Sequence, residues 1–365
     1  MIMYLSNTTS QELIDAIINR TPGYSMIIVQ HWTEWEYSNL GEFRNFETLI
    51  DYANHFEIPL IIPLGSSGTG PLLHDPADNR YRNLNLIFIP NYLFVMYFRA
   101  YRYKPYWLPK VKDITNNDLN CDLSYLFISL NNRPHLHRCM LMDLLAKEDL
   151  ISKGAMSWNS QSRNWGPDDR NISYTEWYQF RYWQPELLIL DNRSEETLAR
   201  GGGWELQLPW QFSKSWMQIV PESSDTTVFF TEKVIPSLLF CKPFLVAGGP
   251  YYHKVLTDFG FQLYDELFDY SFDSELDLEK RLQLIVDNVN RYRNYSFEQL
   301  ATLRQSIMPK LIHNKLNFIK VATDVSVWPQ QIVDLINQRE TGLYDLDIGY
   351  FYDMYKNGYK TLDTL

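Results

Sequence analysis

The residues best equipped for chemistry lie in the polar run from Glu222 to Lys233 (ESSDTTVFFTEK). An apolar stretch follows, then the segment Lys242 to Gly249 (KPFLVAGG). A polar loop closing on Thr231-Glu232-Lys233 at the head of an apolar helix brings together an N-cap hydroxyl, a carboxylate and an ammonium. A helix start adds free N–H groups and a partial positive charge. Lys233 beside it suits a diphosphate, and Glu232 suits the hydroxyls of a ribose or another sugar. The same letters also describe a plain capped helix with a solvated lysine. The spacing predicts a helix over 232–240 and a buried strand over 243–247.

Other reactive letters carry less. His135 and His137 have no cysteine or carboxylate at ligand spacing, so no metal site is expected there. Cys121, Cys139 and Cys241 are odd in number, far apart and outside any C-x-x-C pattern, so neither a disulfide framework nor a zinc site is indicated and a reducing compartment fits best. Asp345 and Asp347 form a D-x-D near the C-terminus, after no long strand, and are read as chance. Gly65 to Gly70 (GSSGTG) follows a strand but lacks the Gly-Lys-Ser/Thr of a phosphate-binding loop, so it is taken as a flexible loop lining a cleft. Gly201 to Gly203 offers mobility more than chemistry.

The span from Glu222 to Lys233 resembles the donor-binding signature of the alpha-1,3-fucosyltransferase family, E-N-S-x-x-x-D-Y-I/V-T-E-K. It also resembles uncharacterised glycosyltransferase-like proteins of phages and large viruses. Ser223 stands where the family has Asn. Phe229 stands where a Tyr beside the nucleotide is usual, which keeps a stacking face and leaves the base open. Upstream, Ser129 to Arg138 (SLNNRPHLHR), with Asp143 five residues on, is similar to the family's strand, Asn-containing loop and helix-head arginine that contacts the donor diphosphate. Arg138 matches that arginine and Arg133 is the fallback; a planar guanidinium can hold two phosphate oxygens at once.

The resemblance implies an α/β, GT-B-like fold of two Rossmann-like domains facing across a cleft. It implies a donor site of Arg138, Glu222, Ser223, Phe229, Thr231, Glu232 and Lys233. The implied reaction moves a hexosyl or deoxyhexosyl group from a nucleotide-diphosphate sugar, a GDP-sugar being favoured, to a hydroxyl of a glycan or other acceptor. The transfer is expected to be inverting, without metal or cofactor, the leaving charge being met by Arg138, Lys233 and the helix dipole. The base that takes the acceptor proton comes from the first domain in this fold. His31, Glu34 and Glu36, just after the strand 26–29, are the candidates, since open parallel sheets bind ligands outside the carboxyl ends of strands. Two rivals remain: a virion or assembly protein that keeps the fold without activity, and an enzyme acting on modified nucleic-acid bases. The second would use the basic cluster of Arg99, Arg102, Lys104, Lys110 and Lys112.

These groups need a scaffold, and 365 residues with 45% hydrophobic and 21% charged content suffice for two domains. In the first, Thr9 and Glu12 form a capping box ahead of Leu13, Ile14, Ile17 and Ile18. A strand over 26–29, a helix over 46–55 and strands over 60–64 and 86–89 follow, an alternation that implies a parallel sheet. The polar run 110–122 marks the boundary, giving an acceptor-side domain 1–116 and a donor domain 117–320. The tyrosine-rich 321–365 is expected to pack back on the first. The donor domain restarts with a strand over 125–130, a helix from about 135 to 150, and a strand over 215–220. Helices follow at 278–292 (Leu278, Leu282, Ile285, Val289, Tyr292) and after the Ser296/Gln299 capping box, with a kink at Pro309.

Leu84 to Phe98 is apolar but broken by Pro90 and Asn91, hence core and not a membrane span. The start MIMYLSNTTS has neither basic nor apolar signal regions, so a cytoplasmic location is expected, the host cytoplasm for a viral chain. A net charge of -11 argues against a dedicated nucleic-acid partner. The 11 Trp and 25 Tyr suit sugar faces as well as cores.

Overall fold

The computed structural model describes residues 2–5, 22–29, 46–64, 79, 82–89, 91, 94–95, 122–131, 134–158, 174–186, 188, 190, 209–231 and 233–334. The chain divides into two compact units, Met1–Leu108 together with Ala322–Leu365, and Pro109–Val321. The first-domain base candidates His31, Glu34 and Glu36, the basic cluster, Glu232, Arg133, both glycine-rich loops and the D-x-D lie outside the described residues.

In the first unit the strands β1 (Ile2–Leu5), β2 (Met26–Val29), β3 (Leu60–Leu64) and β4 (Leu84–Phe88) form one parallel sheet in that order. Continuous apolar runs suit strands covered on both faces, and Ile27, Ile28 and Leu60 are fully buried. Helix α1 (Phe46–Phe56) joins β2 to β3 and buries Leu49, Ile50, Tyr52 and Ala53 along one stripe. Residues after 321 belong to this unit: Trp328 donates its indole N–H to Asn91 Oδ1 at 2.8 Å, and Asn91 Nδ2 donates to the Asp324 carbonyl at 2.7 Å.

The second unit runs β5 (Tyr125–Asn131), α2 (Leu136–Lys147), β6 (Gly154–Trp158), α3 (Tyr174–Trp177), β7 (Ser215–Pro221), α4 (Ile235–Leu239), β8 (Phe244–Ala247), α5 (Tyr252–Asp258), α6 (Leu278–Asn290), α7 (Phe297–Ser306) and α8 (Met308–Thr323), along which it ends. Its sheet is parallel throughout, in the order β6-β5-β7-β8. Every residue of β7 and β8 is buried, so packed elements cover both faces. Both sheets are therefore α/β and Rossmann-like. Among the described residues no helix is long and apolar enough to cross a membrane.

Two expectations change. Pro309 is the second residue of α8, where a missing N–H costs nothing, so it starts a helix and does not kink one. β6 is a strand the sequence pattern does not announce. The Phe127 ring lies against the backbone of Gly154, where a Cβ would come within 2.3 Å of it.

Candidate functional site

The four strands of the second sheet end level. Asn131 pairs with Trp158, Ser129 with Ile219, and Pro221 with Ala247. Counted in chain order the sheet runs second, first, third, fourth, so the order reverses between β5 and β7. Such a reversal opens a crevice at the carboxyl ends of the two strands, where open parallel sheets bind ligands. The segment leading into α2, the loop after β7 and Gly248 to Tyr251 after β8 all leave from this edge.

Glu222, the first residue past β7, organises the edge. It is fully buried, and its carboxylate accepts from described neighbours: Thr231 N at 3.2 Å and the Tyr252 hydroxyl at 2.9 Å on Oε1, the Thr231 hydroxyl at 2.5 Å and Ser223 N at 3.2 Å on Oε2. Buried charge needs this degree of satisfaction. The result is a latch that closes the loop 222–231 on itself and on α5. The Glu222 carbonyl accepts from Arg138 Nη2 and His137 Nε2, both at 2.8 Å, which ties the head of α2 to the same point. Glycine lets the next strand's exit lie against this loop: a Cβ on Gly249 would stand 2.2 Å from the Thr227 carbonyl oxygen.

Cations converge here despite the chain's negative balance. The Lys233 ammonium lies on the hydroxyls of Ser223 at 2.8 Å and Thr231 at 3.1 Å. Arg138, 2% exposed, donates to the carbonyls of Pro221 and Glu222. Arg281 donates to the carbonyls of Asp225 at 2.7 Å, Gly248 at 3.1 Å and Glu275 at 2.6 Å.

The neighbouring imidazole registers all three. Burial first, then Arg138, with Arg281 and Lys233 adding, push His137 down to about 3 against the pull of its bond to the Glu222 carbonyl. Neutral His137 donates through Nε2, so its Nδ1 lone pair faces Asp225 Oδ2 across 3.7 Å. Burial raises the Asp225 carboxyl, although its own backbone N–H, Arg281 and Arg138 pull the other way.

The structure brings Arg138, Glu222, Ser223, Thr231 and Lys233 together but assigns them different work from that expected. Thr231 is not an N-cap. Pro236 near the helix start fixes α4 at Ile235, behind Val234, which makes no side-chain cap, and the helix is five residues long. The helix-dipole contribution to a diphosphate grip therefore falls away. Phe229 is 3% exposed, so its ring packs within the protein and offers no open face at this edge. Glu222, Thr231 and Arg138 are engaged internally and position the loop. Ser223, Asp225, Thr226 and Lys233 keep partial or full exposure.

Sequence reasoning missed several members. Arg281 reads as one polar letter on an amphipathic helix. Tyr251 has a left-handed backbone (φ 65°) and a ring 45% exposed, its N–H bonded to the Asp273 carbonyl at 2.6 Å. Strained backbone of this kind concentrates at functional edges. His253 donates from Nδ1 to Asp273 at 2.9 Å and accepts Val246 N on Nε2 at 3.3 Å, holding α5 to β8. Among the described residues no three His, Cys, Asp or Glu side chains converge on a common point.

No protein-family model, no curated protein and no solved structure matches the chain.

Proposed function

We propose that the chain is a glycosyltransferase that moves a hexosyl or deoxyhexosyl group from a nucleotide-diphosphate sugar to an acceptor hydroxyl. The observation that carries this reading is the convergence of Lys233, Arg138 and Arg281 on the carboxyl edge where the second sheet reverses its strand order. Fixed cations and hydroxyls at such a crevice suit a diphosphate and the negative charge that grows on it as the sugar leaves. Lys233 and Ser223 are the direct contacts. Arg138, Glu222 and Thr231 hold them in place, and the exposed Tyr251 ring takes the stacking role first expected of Phe229. The reading treats the two units as the halves of a GT-B-like enzyme, with the acceptor and its base on the first. A protein keeping the fold without transfer is the second reading. Val228 and Phe230 depart from the donor signature beside Ser223 and Phe229, and so many signature residues are buried.

A thermal-shift panel of GDP-, UDP-, ADP- and TDP-sugars, with and without chelator, separates them. At a hundredfold excess over Kd one nucleotide sugar is expected to raise the melting temperature by roughly 5 °C or more. Lys233→Ala is expected to weaken that ligand roughly tenfold or more, the value of one charge-assisted hydrogen bond. No shift with any member favours the inactive reading, and a shift abolished by chelator overturns the metal-free mechanism.

A further inference from the structure

A cleft lies at the other edge of the same sheet. Asp149 and Ser152 precede β6, whereas Ser223 and Lys233 follow β7, and in parallel strands these are opposite edges. The cleft holds about 660 Å³ between the far end of α2 and the segment 182–186, inside the roughly 300–1,000 Å³ of small-molecule sites.

Its lining is chemically selective. Tyr182 and Trp183 supply aromatic faces, Gln184 an amide, Ser152 a hydroxyl, and Asp149 and Glu186 carboxylates. Among the described residues of the lining there is no lysine or arginine. The nearest guanidinium, Arg181, lies 5.8 Å from the centre of the Tyr182 ring and is paired with Glu279. The Asp149 and Glu186 carboxylates disfavour phosphate, whereas they accept hydroxyl protons, and a sugar ring offers its C–H face to an aromatic ring and its hydroxyls to the sides.

The aromatic wall is also built in advance. Asp143, in the middle of α2 and 1% exposed, accepts three successive backbone N–H groups: Arg181 at 3.0 Å, Tyr182 at 2.7 Å and Trp183 at 3.0 Å. The Trp183 ring stands edge-on to Trp158 at 5.1 Å and to Phe180 at 5.4 Å. The Arg181 guanidinium is held by Glu279 at 2.7 Å, and Tyr182 is left 53% exposed. A wall fixed before the ligand arrives lowers the ordering cost of binding.

We propose that this cleft binds a neutral oligosaccharide, one ring stacked on Tyr182 and its hydroxyls bonded to Gln184, Glu186 and Asp149. The site is separate from the nucleotide edge and does not depend on activity there.

The test is saturation-transfer NMR on the full chain with maltotriose, cellotriose and triacetylchitotriose. At least one trisaccharide is expected to receive saturation. Tyr182→Ala and Gln184→Ala, both at exposed positions, should each weaken its Kd roughly three- to tenfold with an unchanged melting temperature. No transfer to any of the three overturns the proposal, as does transfer that both substitutions leave intact. Competition by a nucleotide sugar would move the saccharide to the other edge and overturn it too.

Discussion

The two parallel sheets are built from similar apolar strands, yet one adds its strands in a single direction and the other doubles back. Crossovers between parallel strands are right-handed, so a sheet that steps one way keeps its connections on one face. A reversal sends successive connections to opposite faces and parts them at the strand ends. Among the described residues the first unit buries Asn91, while the second buries Glu222, Thr231, His137, Arg138, Asp143 and Arg281. Burying charge is costly unless every group is satisfied, so a fold concentrates it where geometry must be held for a purpose.

The largest blow to that contrast is Glu222→Ala. It strips one acceptor from Thr231, Tyr252 and Ser223 at once, and leaves buried donors unmet. The second unit is expected to lose roughly 3–5 kcal/mol in urea unfolding. A loss under about 1 kcal/mol would mean that the edge is not latched. Gly249→Ala comes next, at about 1–3 kcal/mol, because its Cβ must displace the Thr227 backbone and not a flexible side-chain tip.

Why these positions were only partly legible follows from the range of their interactions. β2, β3 and α1 were readable because apolar runs and helical spacing are local signals, and β2 and β3 fall at their expected bounds. The reactive letters of the loop were legible too, but not their use. Glu222 meets Tyr252 thirty positions away, and Arg281 bonds carbonyls at 225, 248 and 275. Thr231 read as a cap because an apolar run follows it, and Pro236 moved the helix start beyond its reach. Spacing reports periodicity along the chain, whereas a latch is a meeting of distant segments.

The first unit has its own long-range bolt, and Asn91→Ala measures it. Trp328, 6% exposed, would keep an indole N–H without this acceptor, and the Asp324 carbonyl would lose a donor. The expected cost is about 1–2 kcal/mol, well below that of Glu222→Ala. Equal costs would mean that the Glu222 latch holds its loop no more firmly than this single bolt holds Trp328.

The finest test is a difference in pH dependence. Folded His137 stays neutral down to about 3 because burial and its cationic neighbours oppose a charge, while in the unfolded chain the imidazole takes a proton near its ordinary 6.5. Between those values the unfolded state binds the extra proton, so stability is full above pH 6.5 and falls as pH drops towards 3. The slope reaches at most about 1.4 kcal/mol per pH unit. Asp273, held below the usual carboxylate range because bonds from His253 outweigh burial, also loses stability with acid, but only below its ordinary 3.8. The raised Asp225 works in the opposite sense. His137→Gln can keep an N–H on the Glu222 carbonyl without titrating. Its unfolding free energy should therefore stay flatter than that of the parent from pH 6.5 to 4, with the two curves parallel above pH 7. Parallel curves through the whole range would mean that the imidazole is not buried and neutral, and the polar edge of the second sheet would then be as open as an ordinary loop.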